Sequence, residues 1–531
     1  MYYPAGIVFD ENNDLSNSNL AIQLYGRRIY EGQTVGEYLL EFLLVYLGTN
    51  KGQGGFNIDY KEDEEIKYQM NPNIGLKRFI FFENSKAENK HQIDRVAAEQ
   101  INKLIINQIS TEKFTPEQVL FRIKDLFYGF NMITKQRSWF AQAMMPLCKE
   151  LVFCEAMNKS TRKEYTYINE NSGKINNKID VDFDFTKHNF MGRGGEVYYL
   201  HLLQGIQLMA QQKGRNVAEE FSRNINLGIR GLLNSFPQFQ VLSRHIQKTW
   251  EAFLKENMEE FNKGSINSVR DYHHKEMACK WIKRSYGKVA QYSLNELSFI
   301  LNVSISEFEK LELLNIGIIL QLFRLIISEA YYVSQEDDIS KPLWVIQVSS
   351  SDKVDEKVRK ISVKHYSMIE NYMITALAKQ LDKKIEFQKE KNGENQIDNN
   401  NSIKDLKKAY KNSHKLLRKI GKDIGLIVPI SGQNMRLSLT DDILKYLVLS
   451  MIEPNTSITL DSFLHKLYKY YGIIIREKEY IKHYKWKCKE DKYAPYLSNN
   501  LDEFSKQLRI NGFLKELSDA TAIVINPYGR R

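Results

Sequence analysis

Residues 439–452 read LTDDILKYLVLSMI, and the spacing of their apolar side chains decides how the C-terminal part of the chain is organised. Ile443, Leu444, Leu447, Val448 and Met451 recur at intervals of three and four, which places them on one face of a helix. Thr440 offers a cap, and Asp441 and Asp442 put negative charge in the first turn, where the helix dipole favours it. Pro454 and Asn455 then break the chain. Thr459, Leu460 and Asp461 open a second amphipathic helix that runs through SFLHKLYKYYGI and is expected to stop at Gly472. A third helical pattern, LDEFSKQLRINGFL, covers residues 501–514. The following ELSDATAIVINPYGR holds a turn signal and a β-rich run over residues 521–525.

Three short helices followed by a β-ribbon is the order of a winged helix-turn-helix. A long insertion, residues 476–499, separates its second and third helices. In such folds the third helix commonly enters the major groove, and here Lys506, Gln507, Arg509 and Asn511 would face the bases. The same topology also serves as a protein-docking module, so DNA contact is one of two expectations.

Just upstream, residues 392–402 (NGENQIDNNNS) are polar, Asn-rich and without periodicity, and read as a linker. The next stretch, IKDLKKAYKNSHKLLRKIGKD, sets Lys404, Lys407, Lys408, Lys411, Lys415, Arg418, Lys419 and Lys422 at helical spacing with almost no acid between them. Leu406, Tyr410, Leu416, Leu417 and Ile420 supply an apolar side. One-sided charge repels itself, and it gains by releasing counterions from a phosphate backbone. A solvated helix face, an anionic membrane or a partner groove are the alternatives. Beside a winged helix, phosphate contact is the expectation.

At 531 residues the chain is too long for one core, and about three or four domains are expected. A hydrophobic fraction of 43% and an aromatic fraction of 12% belong to a folded chain. The net charge of +10 arises from 75 basic against 65 acidic residues, so only its local concentration in residues 404–422 is diagnostic. Cys148, Cys154, Cys279 and Cys488 are scattered without a CxxC pair, which supports neither a zinc ribbon nor a disulfide framework. The opening MYYPAGIVFDENND has no basic region followed by an apolar run, so no secretory leader is expected. The most apolar stretch, LLNIGIILQLFRLIISEAYYV, is interrupted by Arg324 and Glu329 and reads as a buried core helix, not a membrane span. The abundance of Asn, Lys, Ile and Tyr resembles the bias of an A+T-rich, bacterial-type genome.

The expected organisation is mainly α and multidomain, with small α/β elements and the winged helix-turn-helix at the C-terminus. Residues 1–135 form a mixed α/β domain. Within it, residues 34–47, 92–109 and 116–128 are helical and the FIFF run at 79–82 is a buried strand. Residues 136–335 are almost wholly helical, beginning with WFAQAMMPLCKELVFCEAM. Residues 336–391 hold a strand in LWVIQVSS, a charged turn at 351–360 and a helix in SMIENYMITALAKQLDKK. The linker 392–402, a basic helix and connector at 403–435, and the winged helix at 436–531 complete the chain.

The best candidate for a small-molecule site is VDFDFTKHNFMGRGGEVYYLHLL, residues 181–203. Gly192, Gly194 and Gly195 frame Arg193 immediately before a helix, and amides at a helix N-terminus favour phosphate. The stretch satisfies neither the P-loop nor the dinucleotide pattern, and an ordinary glycine turn explains it as well. Asp182, Asp184, His188, Glu196 and His201 are metal-ligand types, but Glu196 and His201 are five apart and leave one helical face. A nuclease core is imitated only by Glu83 with Lys86 and Glu386 with Lys389, each with one residue too many between acid and lysine. His273 and His274 are adjacent, and adjacent helical side chains point about 100° apart.

The reading is therefore a non-catalytic, cytoplasmic subunit of a bacterial DNA-handling system such as replication control, restriction or phage defence. It binds DNA through the basic helix and the winged helix, recruits protein partners, and needs no metal, cofactor or membrane. The alternatives are a metal-dependent nuclease or phosphate-transfer enzyme centred on residues 182–201, and a protein scaffold without nucleic-acid binding.

Overall fold

The computed structural model describes residues 20–26, 29–56, 58–59, 65–69, 72–73, 75–85, 92–133, 137–155, 157–158, 183–184, 194–258, 276–280, 288–335, 344–348, 356–392, 399–484, 494–518 and 521–529. Among these residues the chain is mainly helical. In order, the helices are α1 (Leu20–Tyr25), α2 (Val35–Gly52), α3 (Leu76–Phe81), α4 (Gln92–Ile106), α5 (Pro116–Tyr128), α6 (Gly194–Lys213), α7 (Arg215–Leu233) and α8 (Pro237–Met258). They continue with α9 (Lys288–Asn302), α10 (Glu307–Gln335), α11 (Glu356–Asn392), α12 (Asn399–Asp423), α13 (Asp441–Met451), α14 (Leu460–Tyr471), α15 (Glu477–Tyr484) and α16 (Leu497–Ile510). The strands are short: β1 (Glu65–Gln69), β2 (Pro72–Asn73), β3 (Cys154–Glu155), β4 (Met157–Asn158), β5 (Phe183–Asp184), β6 (Glu276–Lys280) and β7 (Trp344–Val345). After them come β8 (Ile427–Val428), β9 (Arg436–Leu437), β10 (Ser457–Thr459), β11 (Ile473–Ile474), β12 (Leu514–Ser518) and β13 (Thr521–Ile525).

The most apolar stretch forms the axis. A helix that is hydrophobic all round must be buried, and α10 packs along α11 and against α2, α6, α9 and α13. Among the described residues it is the one helix long and apolar enough to cross a membrane, and 83% of its apolar window lies buried inside the fold. On its flank, α6 packs between α2 and α9. Two glycines set those approaches: a Cβ on Gly195 would meet the Phe42 amide at 2.3 Å, and one on Gly205 would meet the Ala290 carbonyl at 2.6 Å. Larger residues at either position would push the helices apart.

Two expectations for the first half of the chain are corrected. The FIFF run closes helix α3, with Phe82 as its C-cap, and is not a strand. A short apolar run carries no period of its own, so long-range contacts decide its state. Here Arg78 of α3, buried to 1%, pairs with Asp94 of α4 at 2.9 Å and with Glu155 of β3 at 2.8 Å, and lies 4.2 Å over the Trp139 ring. The stretch beginning at Trp139 is likewise not helical. It forms two single turns of 3-10 helix, Trp139–Ala141 and Lys149–Leu151, followed by β3 and β4. Pro146 lacks the amide a helix needs there, and Met144 bridges to Asn131 instead. Farther on, part of the charged turn expected at 351–360 belongs to α11, which starts at Glu356.

The C-terminal helices begin and end where the capping signals put them. The Thr440 hydroxyl accepts from the Ile443 amide at 3.4 Å and that of Thr459 from the Ser462 amide at 3.2 Å. Gly472 closes α14 with φ of 77°. The third helix, α16, stops at Ile510, short of the expected end, because Asn511 and Gly512 (φ 75°) turn the chain into β12. Strands β10, β13 and β12 form an antiparallel sheet in that order. Residues 344–348 belong with this region: β7 pairs in parallel with β11. Asn500 of α16 donates to the Ile346 and Ile475 carbonyls at 2.9 and 2.8 Å and accepts from the Val348 amide at 3.0 Å.

A buried polar network ties this region to the helical body. Glu296 of α9 accepts from Tyr471 of α14 at 2.7 Å, from Tyr446 of α13 at 3.3 Å and from Gln321 of α10 in a short contact. Arg324 of α10 donates to Ser293 at 2.8 Å and to the Tyr470 carbonyl at 3.0 Å, and its guanidinium lies 4.8 Å over the Tyr471 ring. His201 of α6 meets Ser293 at 2.7 Å. Burial pushes the Glu296 carboxyl up and, with Arg324 adding to it, holds His201 well below its ordinary range. Charges this deep persist only with every neighbour in place.

Candidate nucleic-acid interface

The basic segment folds as α12, and its sequence explains which way it turns. At about 100° per residue, Lys404, Lys408, Lys411, Lys415, Arg418 and Lys422 fall within about 40° of one line along the helix, with Lys407 and Lys419 flanking it. The opposite face, Ala409, Ser413, Leu416, Leu417 and Ile420, is buried. It packs on α11, with α1 alongside. From Lys404 to Lys422 the cationic stripe runs about 27 Å, at 1.5 Å per residue.

The stripe is not uniform. At its C-terminal end Lys422 donates to the Ile430 carbonyl at 2.9 Å, and Lys419 to the carbonyls of Gly32 and Gln33 at 3.2 and 2.6 Å. Arg418 forms a two-pronged pair with Glu370 of α11 at 2.8 and 3.1 Å. Farther along, Lys415 and Lys411 both reach the Glu31 carboxylate, at 3.0 and 3.9 Å. Lys404, Lys407 and Lys408 are exposed and meet no partner among the described residues. Solvent-facing charge thus grows toward the helix N-terminus, with Asp405 the one acid among these three lysines.

On α16, Lys506 and Arg509 are exposed, each beside a carboxylate: Glu503 at 3.5 Å and Glu516 in a short contact. Gln507 is half-buried, and its carbonyl accepts from Asn511, whose amide also reaches Asp441 at 2.9 Å. Of the third-helix residues expected to face outward, Lys506 and Arg509 do so.

The glycine segment is only partly described. Gly192 and Arg193 lie outside the described residues, as do Asp182 and His188 and the side chain of Asp184. Gly194 and Gly195 are buried at the start of α6, and the Gly195 amide donates to the Glu41 carboxylate at 2.6 Å. The Gly195 amide, one of the groups expected to meet a phosphate, is thus engaged by a carboxylate of this chain. Glu196 accepts from the Tyr68 hydroxyl at 2.6 Å, while His201 points into the core network. Among the described residues no group of three carboxylate, imidazole or thiol side chains is placed to hold a metal ion. His273 and His274 lie outside the described residues.

A cleft of about 480 Å³ opens at the foot of α12, lined among others by Arg137, Glu309, Lys419, Asp442 and Lys445. Its cations are already engaged: Arg137 with Glu37 and the Gly32 carbonyl, Lys419 with the same strand of backbone, Lys445 with Glu309. It does not extend the cationic stripe. Sequence reading missed Glu31, because a single acid more than 350 residues before α12 carries no local signal. No family model, curated protein or solved structure matches the chain.

Proposed function

We propose that the chain is a nucleic-acid-binding subunit of a cytoplasmic DNA-handling system, acting by holding DNA and recruiting partners and not by catalysis of its own. The observation that carries this reading is the run of exposed lysines at the N-terminal end of α12. Lys404, Lys407 and Lys408 face solvent on one side of a helix whose other side is core. Such a stripe suits a phosphate backbone, which it can track without reading bases. We further read residues 436–531 as a winged helix. What supports this is the order α13, β10, α14, α16, β12, β13, with β11 and α15 inserted between α14 and α16, and with β10 as the third strand against β13. In that reading α16 offers Lys506 and Arg509 to the groove, since exposed ion pairs are weak and exchange readily for phosphate.

A second reading, protein docking, draws on two exposed apolar residues at the end of the same surface, Ile510 (67%) and Leu517 (58%). Fluorescence anisotropy with a labelled DNA duplex separates the two. The triple substitution K404Q/K407Q/K408Q and the pair K506Q/R509Q should each weaken binding without altering the thermal melt. Unchanged affinity in both would leave docking as the function of the C-terminal region. Substitutions are the sound probe here. Removing everything after Lys391 would strip Tyr446 and Tyr471 from Glu296 and open the core.

A further inference from the structure

The backbone at Ile29–Gln33 crosses the basic helix, and its contacts divide by kind. Gly32 and Gln33 are fixed: their carbonyls accept from Lys419, that of Gly32 also from Arg137, and the Gln33 side chain accepts from the Tyr38 hydroxyl at 2.9 Å. Glu31 is different. It reaches sideways along α12 to Lys415 at 3.0 Å and Lys411 at 3.9 Å, one helical turn apart. All three side chains remain open to solvent, at 33% for Glu31, 49% for Lys415 and 58% for Lys411. The hydrogen bond from Lys415 holds the Glu31 carboxyl below the ordinary carboxylate range, so it is fully charged at neutral pH.

Two lysines one turn apart that share a single anionic group, on a face whose other charged side chains are the cations Lys404, Lys408, Arg418 and Lys422, form an anion site with an occupant. We propose that Glu31 holds Lys411 and Lys415 in place of a phosphate, and that a nucleic acid bound along α12 displaces it. This rests on the nucleic-acid reading above and specifies how that surface is regulated. Lys404, Lys407 and Lys408 make the first contact. Extension of the duplex toward the middle of the helix then exchanges one carboxylate for phosphate oxygens. The exchange is cheap because the pair is exposed, whereas Arg418 and Lys419 stay anchored. The partner is recognised by backbone charge; the aromatic side chains of α12 beside this face, Tyr410 and His414, are half-buried and stacked on each other at 5.2 Å.

The test is duplex binding by the full chain, its E31Q variant, K411Q/K415Q, and the combination of all three substitutions, with thermal melts alongside. E31Q should bind about two- to fivefold tighter, the scale set by freeing one exposed ion pair. That gain should vanish in the K411Q/K415Q background. Equal or weaker binding by E31Q, in a chain whose unsubstituted form binds duplex, overturns the inference and leaves the nucleic-acid reading standing. Persistence of the E31Q gain without the two lysines also overturns it, because the effect would then be one of net charge alone. Absence of duplex binding by the unsubstituted chain overturns both.

Discussion

Arg324 on α10 and Lys407 on α12 carry the same charge in opposite surroundings. Arg324 is surrounded by Ser293, Gln321, the Tyr470 carbonyl and the Tyr471 ring, with Glu296 completing the network. Lys407 faces water. The first cation specifies how α9, α10, α13 and α14 meet, and cannot be released without unfolding that junction. The second is exposed, and its replacement is expected to change folding little. Between these extremes α12 itself is graded, from anchored Lys422, Lys419 and Arg418 through Lys415 and Lys411 on Glu31 to the open N-terminal lysines. The fold thus divides the cations by how firmly each is held, from buried and networked to open to solvent.

The sharpest way to break that comparison is Arg324→Ala. Removing one side of a buried charge network leaves Glu296 without its nearby cation and should cost about 3–5 kcal/mol of stability, read by denaturant unfolding. A loss under 1 kcal/mol would mean the network does not join the C-terminal region to the body.

The Arg78 cluster gives a pH signature of the same buried kind. Burial raises the Glu155 carboxyl to about 7, with Arg78 opposing the shift. A carboxyl raised above its unfolded value contributes stability that is fully present below the unfolded value and lost as pH rises through the folded one. Relative to Glu155→Gln, the unsubstituted chain should therefore lose stability between about pH 4.5 and 7, by roughly 3 kcal/mol. A constant difference across that window would contradict the assignment.

Arg418→Ala tests the graded middle of α12. Its pair with Glu370 is two-pronged but partly exposed, so the expected loss is about 0.5–1 kcal/mol with little change in duplex affinity. A large affinity loss with intact stability would move Arg418 from the anchored set to the binding set. The smallest expected effect on folding is that of Lys407→Gln, within about 0.5 kcal/mol of the parent, as for surface substitutions generally.

Much of this architecture was legible. The caps Thr440 and Thr459, the stop at Gly472 and the helical spacing of α5, α13 and α14 are local signals, and local hydrogen bonds satisfy them. The FIFF run was not, because its helical state depends on Asp94, Glu155 and Trp139, which come from three later elements. The eight cations of α12 were visible as a group, but not their division. That depends on Glu31, Gly32 and Gln33 at one end of the chain and Glu370 on the neighbouring helix. Nor was the Glu296–Arg324 network: Glu296 sits in a helix of ordinary amphipathic pattern, and only the packing of four helices shows that it faces Tyr446 and Tyr471.

The central claim is that the open lysines of α12 bind a phosphate backbone, and the salt dependence of duplex binding tests it most directly. Plotting log K against log salt for the full chain and for K404Q/K407Q/K408Q, the account predicts a steep parent slope that falls by about 0.9 for each lost phosphate contact, or about 2.7 for the triple variant. A parent that does not bind, or a triple variant with the parent's slope and affinity, would contradict it.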